Sequence, residues 1–120
     1  MRVSPVSFGY KTKLSENYKK GKIPLEKGLY GGDLKKENKT NEHIKPVSKG
    51  GKTTLYNIAL ATAENNQKRG NDPLIEHLTM EGLIEYTLFF LKMKKIKGFN
   101  PQDYIIGFLE NTLQTIREGY

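Results

Sequence analysis

The stretch of the chain that most constrains its fold is residues 40–70, because prolines and glycines divide it into short segments. A strand that approaches Pro46 is expected to end there, since proline cannot donate a hydrogen bond to a sheet. Gly50 and Gly51 suit the backbone angles of a sharp bend, and Gly70 is placed to end a helix in a left-handed cap. The predicted order is a strand over 40–46, a glycine loop over 47–54, an extended segment over 55–61 and a helix over 63–69.

The same stretch carries the side chains that suggest chemistry. Glu42 is adjacent to His43, Asn57 follows 14 residues after the histidine, and Asn66 comes 9 residues later. Neighbouring side chains on a strand point to opposite faces, so Glu42 and His43 can serve one site only where the strand ends or twists. Each residue taken alone also has a purely structural explanation, because asparagine favours turns and caps and a surface glutamate is ordinary.

Taken together, these residues resemble the pattern of the HNH endonuclease family, the ββα-metal nucleases. That pattern runs from an acid or histidine before His-Ile-x-Pro, through Ser-x-Gly-Gly and Asn-Leu, to Asn-x-x-Lys-Gly. The matching stretches here are Glu42-His43-Ile44-Lys45-Pro46, Ser48-Lys49-Gly50-Gly51, Asn57-Ile58 and Asn66-Gln67-Lys68-Arg69-Gly70. The resemblance covers about residues 28–71 and implies a small ββα-metal core. We therefore expect a single α+β domain over residues 1–120, with a basic N-terminal arm and a C-terminal helical hairpin over residues 74–120.

The resemblance implies a metal-dependent endonuclease that hydrolyses DNA phosphodiester bonds. His43 would be the general base that takes a proton from the attacking water, while Asn57 would fix the loop and orient that histidine. Glu42 and Asn66 would hold one divalent cation, with Mg²⁺ expected ahead of Mn²⁺. The candidate phosphate contacts are Lys45, Lys49, Lys52, Lys68 and Arg69.

The sequence departs from many family members at two Cys-x-x-Cys knuckles that hold a structural zinc. The chain has no cysteine, and residues 28–32 and 62–65 stand where the knuckles would be. Because half of a tetrahedral site is useless, the joint loss of both pairs predicts a domain without structural zinc. Two smaller departures are Glu42, where aspartate is commoner, and Arg69, where the family has lysine.

The formal net charge of +7 is concentrated in the N-terminal part of the chain. Residues 1–52 hold thirteen Lys or Arg against five Asp or Glu, whereas residues 74–120 carry one net negative charge. Such a field favours a polyanion, most simply DNA, although a lysine-rich solvated surface is the ordinary alternative. Tyr10 and Tyr18 lie among the lysines of the basic arm, where they can stack on bases or pack the arm onto the domain.

The C-terminal residues predict two amphipathic helices that pack as a hairpin. Thr79 can cap a helix that runs to about residue 97, and Asn100-Pro101 supply the cap and first position of the next. We expect His77, just before them, to be a surface or packing residue. The apolar stripes expected to face each other are Met80, Leu83, Ile84, Thr87, Leu88 and Leu91 on the first helix and Ile105, Phe108, Leu109, Thr112, Leu113 and Ile116 on the second.

No apolar run approaches the roughly 20 residues that a membrane helix needs, and the N-terminus has no stretch typical of a secretory signal. The sequence therefore predicts a cytoplasmic protein without a membrane partner, and the resemblance implies a bacterial or phage-encoded one. Two alternatives stay open. One is a non-catalytic module that keeps the HNH fold and binds nucleic acid or a protein. The other is a helical interaction protein whose function lies in residues 74–120.

Overall fold

The computed structural model describes residues 25–36, 38–92 and 100–120. The predicted basic arm with Tyr10 and Tyr18, and the helix end expected near residue 97, lie outside these ranges. Within them, three α-helices and two small antiparallel sheets form an α+β fold. The strands are β1 (Lys27–Gly28), β2 (Gly31–Asp33), β3 (Lys39–His43) and β4 (Ile58–Thr62), and the helices are α1 (Ala63–Arg69), α2 (Met80–Lys92) and α3 (Pro101–Arg117).

The β3–β4 pair forms the centre of the fold. The two strands are antiparallel and in continuous register, and all five residues of β4 are buried. The β1–β2 hairpin lies against β4, since the amide of Leu29 donates to the carbonyl oxygen of Leu60 at 3.0 Å. Because β4 is covered on both faces, its apolar sequence lacks the alternation of a half-exposed strand.

Both strands are shorter than the sequence predicted, and Asn57 is the reason. The amide of Lys45 bonds to Oδ1 of Asn57 at 2.7 Å, so a side chain replaces the strand partner and β3 ends at His43. The amide of Asn57 donates to the carbonyl of Thr54 at 2.9 Å, which makes residues 54–57 a turn. The second strand therefore begins at Ile58, and its predicted start at residue 55 is wrong.

The short helix α1 spans the predicted residues 63–69. Thr62 is its N-cap, because its hydroxyl accepts a hydrogen bond from the amide of Asn65 at 3.2 Å. Gly70 follows with φ of 47° and ψ of −116°, so the positive φ is confirmed but the backbone is not in the left-handed helical region. A glycine ends the helix here because few other residues adopt such angles.

The helices α2 and α3 pack together through aromatic side chains, as a hairpin packing predicts. The ring of Tyr86 stacks on Phe108 at 5.6 Å, and Phe90 stacks on Tyr104 at 6.3 Å. The Tyr86 hydroxyl accepts a hydrogen bond from the amide of Leu60, which fastens α2 to β4. The C-terminal helices therefore share one interior with the sheet.

The buried face of α2 is mostly not the predicted one, although Leu83 of the predicted stripe packs against the core. Its interior residues are Gly82, Tyr86, Phe89 and Phe90. Four members of the predicted stripe are 42 to 72 % exposed, namely Met80, Ile84, Leu88 and Leu91. The helix is apolar on both faces, so periodicity alone could not choose between them. On α3 the predicted Phe108 and Thr112 are buried and the predicted Leu113 is exposed. The other predicted residues pack against the core in part, namely Ile105, Leu109 and Ile116.

Gly82 decides which face of α2 turns inward. A Cβ atom added there would overlap the carbonyl of Leu29, lying 2.6 Å from its carbon, so the helix backbone rests directly on the β1–β2 turn. The predicted helix starts are confirmed, since Thr79 Oγ1 accepts from the amide of Gly82 at 3.0 Å and Asn100 Oδ1 accepts from that of Gln102 at 3.0 Å. None of the helices in the described ranges is long and apolar enough to cross a membrane.

Candidate functional site

Glu42 stands at the next-to-last position of β3 with its side chain only 12 % exposed. Its Oε2 accepts a hydrogen bond from the Tyr30 hydroxyl at 2.7 Å and lies 3.3 Å from Nη1 of Arg69. A carboxylate buried to this degree needs such partners, because an uncompensated charge away from water is costly. Two side chains from other parts of the chain therefore hold the carboxylate in one orientation.

Asn66 on α1 brings its amide group against the same carboxylate. The amide atom that faces Glu42 lies 3.1 and 3.2 Å from the two carboxylate oxygens, and the other lies 2.9 Å from Thr40 Oγ1. With Nδ2 facing Glu42, the amide donates to the carboxylate and accepts from the threonine. With Oδ1 facing Glu42, an amide oxygen lies beside a carboxylate, and oxygen is the ligand atom that a hard divalent cation prefers. The structure thus brings together the two side chains predicted to hold a metal.

Arg69 is buried, and the prediction that it contacts phosphate is not supported. Its side chain is 1 % exposed. The guanidinium donates to the Tyr30 hydroxyl at 2.7 Å and to the carbonyl oxygens of His43, Asp72 and Tyr120 at 3.2, 3.2 and 2.9 Å. A helix places residues three apart on one face, so the arginine points at β3 together with the site asparagine. Its fork of donors joins three segments of backbone instead of reaching solvent.

Tyr30 is a site residue that the sequence did not predict. It lies in the turn between β1 and β2 and is buried. Burial raises the pKa of its hydroxyl above the ordinary value, and the negative charge of Glu42 acts in the same direction against a smaller opposing effect of Arg69. The hydroxyl therefore stays protonated and donates to the carboxylate. A tyrosine between glycines indicates a turn, but nothing local shows which way its ring points.

His43 is the last residue of β3 and is half-buried. Its Nε2 lies 3.0 Å from Oγ1 of Thr53, so the loop after β3 contacts the ring. The strand ends at this residue, which is the condition under which His43 and Glu42 can serve one site. Thr53 was missed because threonine in a glycine-containing loop carries no signal of its own.

Asn57 fixes the loop through four hydrogen bonds and is buried. Its Oδ1 accepts from the amide of Lys45 at 2.7 Å, and its Nδ2 donates to the carbonyls of Lys45 and Lys52 at 3.0 and 2.8 Å. Asn111 of α3 donates to the same Oδ1 at 2.8 Å. The loop-fixing role predicted for Asn57 agrees with these contacts. The hydrogen bond that orients the ring of His43 comes from Thr53 instead.

Two of the candidate lysines gather at Tyr120. Lys45 Nζ and Lys49 Nζ lie 5.8 and 5.6 Å from the centre of its ring, and Lys45 Nζ also pairs with Glu118 Oε1 at 3.0 Å. Lys52 is exposed on the same loop, which gives this side of the site a positive edge.

Lys68 does not belong to that edge. It follows Asn66 by two residues and so lies about 200° around α1 from it. Its Nζ pairs with Glu64 Oε1 at 3.1 Å, and both side chains are exposed. The structure therefore separates Lys68 from the other candidate phosphate contacts.

Comparisons of the chain with protein-family models, with curated proteins and with solved structures gave no match. Among the described residues, there is no group of three or more His, Cys, Asp or Glu side chains that could hold a metal ion. Glu42 and Asn66 are a smaller set, with one carboxylate and one amide. The chemistry of the site therefore rests on the contacts of its own side chains.

Proposed function

We propose that this protein is a metal-dependent endonuclease of HNH type that hydrolyses DNA phosphodiester bonds. The observation that carries the proposal is the approach of the Asn66 amide to both oxygens of Glu42, at 3.1 and 3.2 Å, beside a histidine at the end of the same strand. The β3–β4 pair with α1 would be the ββα core. The family resemblance supports the proposal through the same residues.

The donor set fits a hard divalent cation. A carboxylate and an amide oxygen are ligands that Mg²⁺ and Mn²⁺ accept, and each would keep waters and substrate oxygens as further ligands. Glu42 and Asn66 would hold the cation, with the amide turned so that Oδ1 faces the carboxylate. When bound, the cation would supply positive charge to stabilise the transition state and the departing oxygen.

His43 serves as the general base. In the tautomer in which Nε2 donates to Thr53 Oγ1, Nδ1 keeps the lone pair that accepts a proton from water. Asn57 and Thr53 act as positioning residues, since the first fixes the loop and the second contacts the ring. Lys45, Lys49 and Lys52 lie along the loop as phosphate contacts, where they add binding without reading sequence.

A second candidate function is a non-catalytic module that keeps this fold and binds nucleic acid or a protein. The observation that favours it is the contact of Glu42 with Arg69 and Tyr30, which compensates the carboxylate without a metal. In that case the lysines alone would carry the function, and binding would weaken steeply with salt.

Plasmid cleavage tests the proposal directly. Wild type is incubated with supercoiled DNA in Mg²⁺, in Mn²⁺ and in EDTA, and compared with His43→Ala. Removal of a general base is expected to slow cleavage by about 10²- to 10⁴-fold. The control is Leu88→Ala, because Leu88 is exposed on α2 and is outside the proposed mechanism.

The outcomes separate the two functions. Cleavage that requires metal and His43, and that survives in Leu88→Ala, supports the nuclease. Folded protein that binds DNA with a strong salt dependence but cuts in none of the metals supports the binding module. Cleavage that persists in His43→Ala contradicts the assignment of the base.

A further inference from the structure

We infer that Tyr30 and Arg69 clamp Oε2 of Glu42, so that the carboxylate offers a divalent cation one oxygen, Oε1, and the site selects small cations such as Mg²⁺ over Ca²⁺. This inference rests on the proposed function, because it concerns the same metal site. Neither residue belongs to the family pattern as a metal partner. Both act through Glu42 and are positioning residues.

The contacts of the clamp all fall on one oxygen. The Tyr30 hydroxyl donates to Oε2 at 2.7 Å, and Nη1 of Arg69 lies 3.3 Å from the same atom. Nη1 also donates to the Tyr30 hydroxyl at 2.7 Å, so the arginine nitrogen, the tyrosine hydroxyl and Oε2 of Glu42 all contact one another. A carboxylate whose second oxygen has two donors loses both of them if it turns to chelate a cation.

The clamp is itself held rigidly. Tyr30 is buried in the β1–β2 turn, and its hydroxyl lies between Oε2 of Glu42 and Nη1 of Arg69. The other donors of Arg69 bind the carbonyls of His43, Asp72 and Tyr120, which belong to three different segments. Movement of the guanidinium would break these bonds together, so Glu42 is oriented before any cation arrives.

A fixed carboxylate has a consequence for metal choice. Mg²⁺ demands near-octahedral geometry with short bonds and is satisfied by single carboxylate oxygens and water. Ca²⁺ takes more ligands at longer distances and often binds both oxygens of one carboxylate. Holding Oε2 away therefore disfavours Ca²⁺ more than Mg²⁺, which is selectivity by ligand geometry rather than by charge.

The test measures cation binding without DNA or turnover. Free Mn²⁺ is followed by electron paramagnetic resonance, and Mg²⁺ and Ca²⁺ compete for the bound ion in wild type and Tyr30→Phe. The variant is expected to bind Mn²⁺ about 10-fold more weakly, the usual effect of losing a partner of a metal ligand. Its preference for Mg²⁺ over Ca²⁺ should fall as Oε2 becomes available.

Two further variants complete the design. Tyr56→Phe is the matched control, since it removes one hydroxyl from a ring that packs on Tyr104 of α3 at 5.0 Å. It should leave both affinities unchanged. Arg69→Lys keeps the charge but not the fork of donors, so it should shift selectivity in the same direction as Tyr30→Phe. Thermal unfolding of each variant shows whether it is folded.

The outcomes distinguish this inference from the function it rests on. A Tyr30→Phe protein that binds Mn²⁺ with unchanged affinity and an unchanged ratio of Mg²⁺ to Ca²⁺ overturns the clamp, while the proposed nuclease stands. A wild type that binds no divalent cation, or binds it equally well after Glu42→Gln, overturns both. Reduced selectivity in Tyr30→Phe but not in Tyr56→Phe supports the clamp.

Discussion

Two regions of the molecule share one interior, but buried hydrogen bonds hold one of them and packed aromatic rings hold the other. The motif region, residues 27–70, buries Arg69, Asn57 and Thr62 and satisfies them through hydrogen bonds. The helical region, residues 80–117, buries a cluster of aromatic rings, among them Phe90 and Phe108. Hydrogen bonds are directional and costly to leave unmade, so the motif region has few alternative arrangements. Burial of apolar area has no direction, so the helical region is arranged by volume and shape.

This difference explains why the sequence was informative in one region and misleading in the other. In the motif region, polar residues and glycines indicate the hydrogen bonds and backbone angles that their positions need. In the helical region, α2 is apolar on both faces. The exposed Leu88 is as hydrophobic as a buried residue, so its residue type does not show which face is buried. The next three predictions test whether substitutions in the two regions differ in effect as these buried contacts imply.

The largest effect is expected for Phe90→Ala in the helical region. Phe90 is fully buried and contacts the rings of Phe89, Tyr104 and Phe108. Truncation should lower the free energy of unfolding by about 3 to 5 kcal/mol, through lost burial and the cavity left behind. Urea denaturation followed by circular dichroism measures the change.

Leu88→Ala is the matched control on the same helix. Leu88 lies on the outer face of α2, so its truncation should cost under about 1 kcal/mol. If the leucine variant loses more stability than the phenylalanine variant, the aliphatic face predicted from periodicity is the buried one. The comparison between the two regions would then fail.

A smaller effect is expected for Asn57→Ala in the motif region. The substitution leaves the amide and carbonyl of Lys45 and the carbonyl of Lys52 without their partner, which should cost about 2 to 3 kcal/mol. Asn111→Ala removes only contacts to Asn57 and to the carbonyl of Tyr56, and should cost about 1 kcal/mol. Hydrogen exchange should show the loop opening in Asn57→Ala. Equal losses in the two variants would show that Asn57 has no special role in the loop.

The smallest effect is a pH dependence centred on Tyr30. The pKa of Tyr30 is raised in the folded protein. Above about pH 10, the folded protein therefore keeps the hydroxyl proton that the unfolded chain has lost. The stability that the neutral hydroxyl contributes is therefore present below that pH and is lost as the pH rises through the folded pKa. Wild type should exceed Tyr30→Phe by about 1 kcal/mol near neutral pH.

Above about pH 10, that difference should shrink, because unfolding of the wild type then releases a proton. Urea denaturation of both proteins from neutral pH to about pH 11 measures it. Every other tyrosine and lysine titrates in both proteins, so the subtraction isolates Tyr30. A difference that stays constant over the whole range would contradict the raised pKa.

Several features of the motif region could be predicted from the sequence because their causes are local. The helix α1 has the predicted bounds, the Gly50-Gly51 bend lies in the loop, and Asn57 fixes that loop. The pairing of Glu42 with Asn66 followed from the family pattern. The structural role of Arg69 could not be predicted. An arginine near a proposed phosphate site is expected to be a surface contact until its burial is known.

The sequence by itself determined where the glycine turn and the helix caps lie, and which residue types stand beside His43. These depend on neighbours a few positions away, through proline, glycine and capping side chains. Tertiary structure alone decided that α2 buries its aromatic face and that Arg69 joins Tyr30, 39 residues earlier, to Glu42, 27 residues earlier. The physical reason is that burial and ion pairing depend on what packs opposite a side chain, and distant parts of the chain supply that partner.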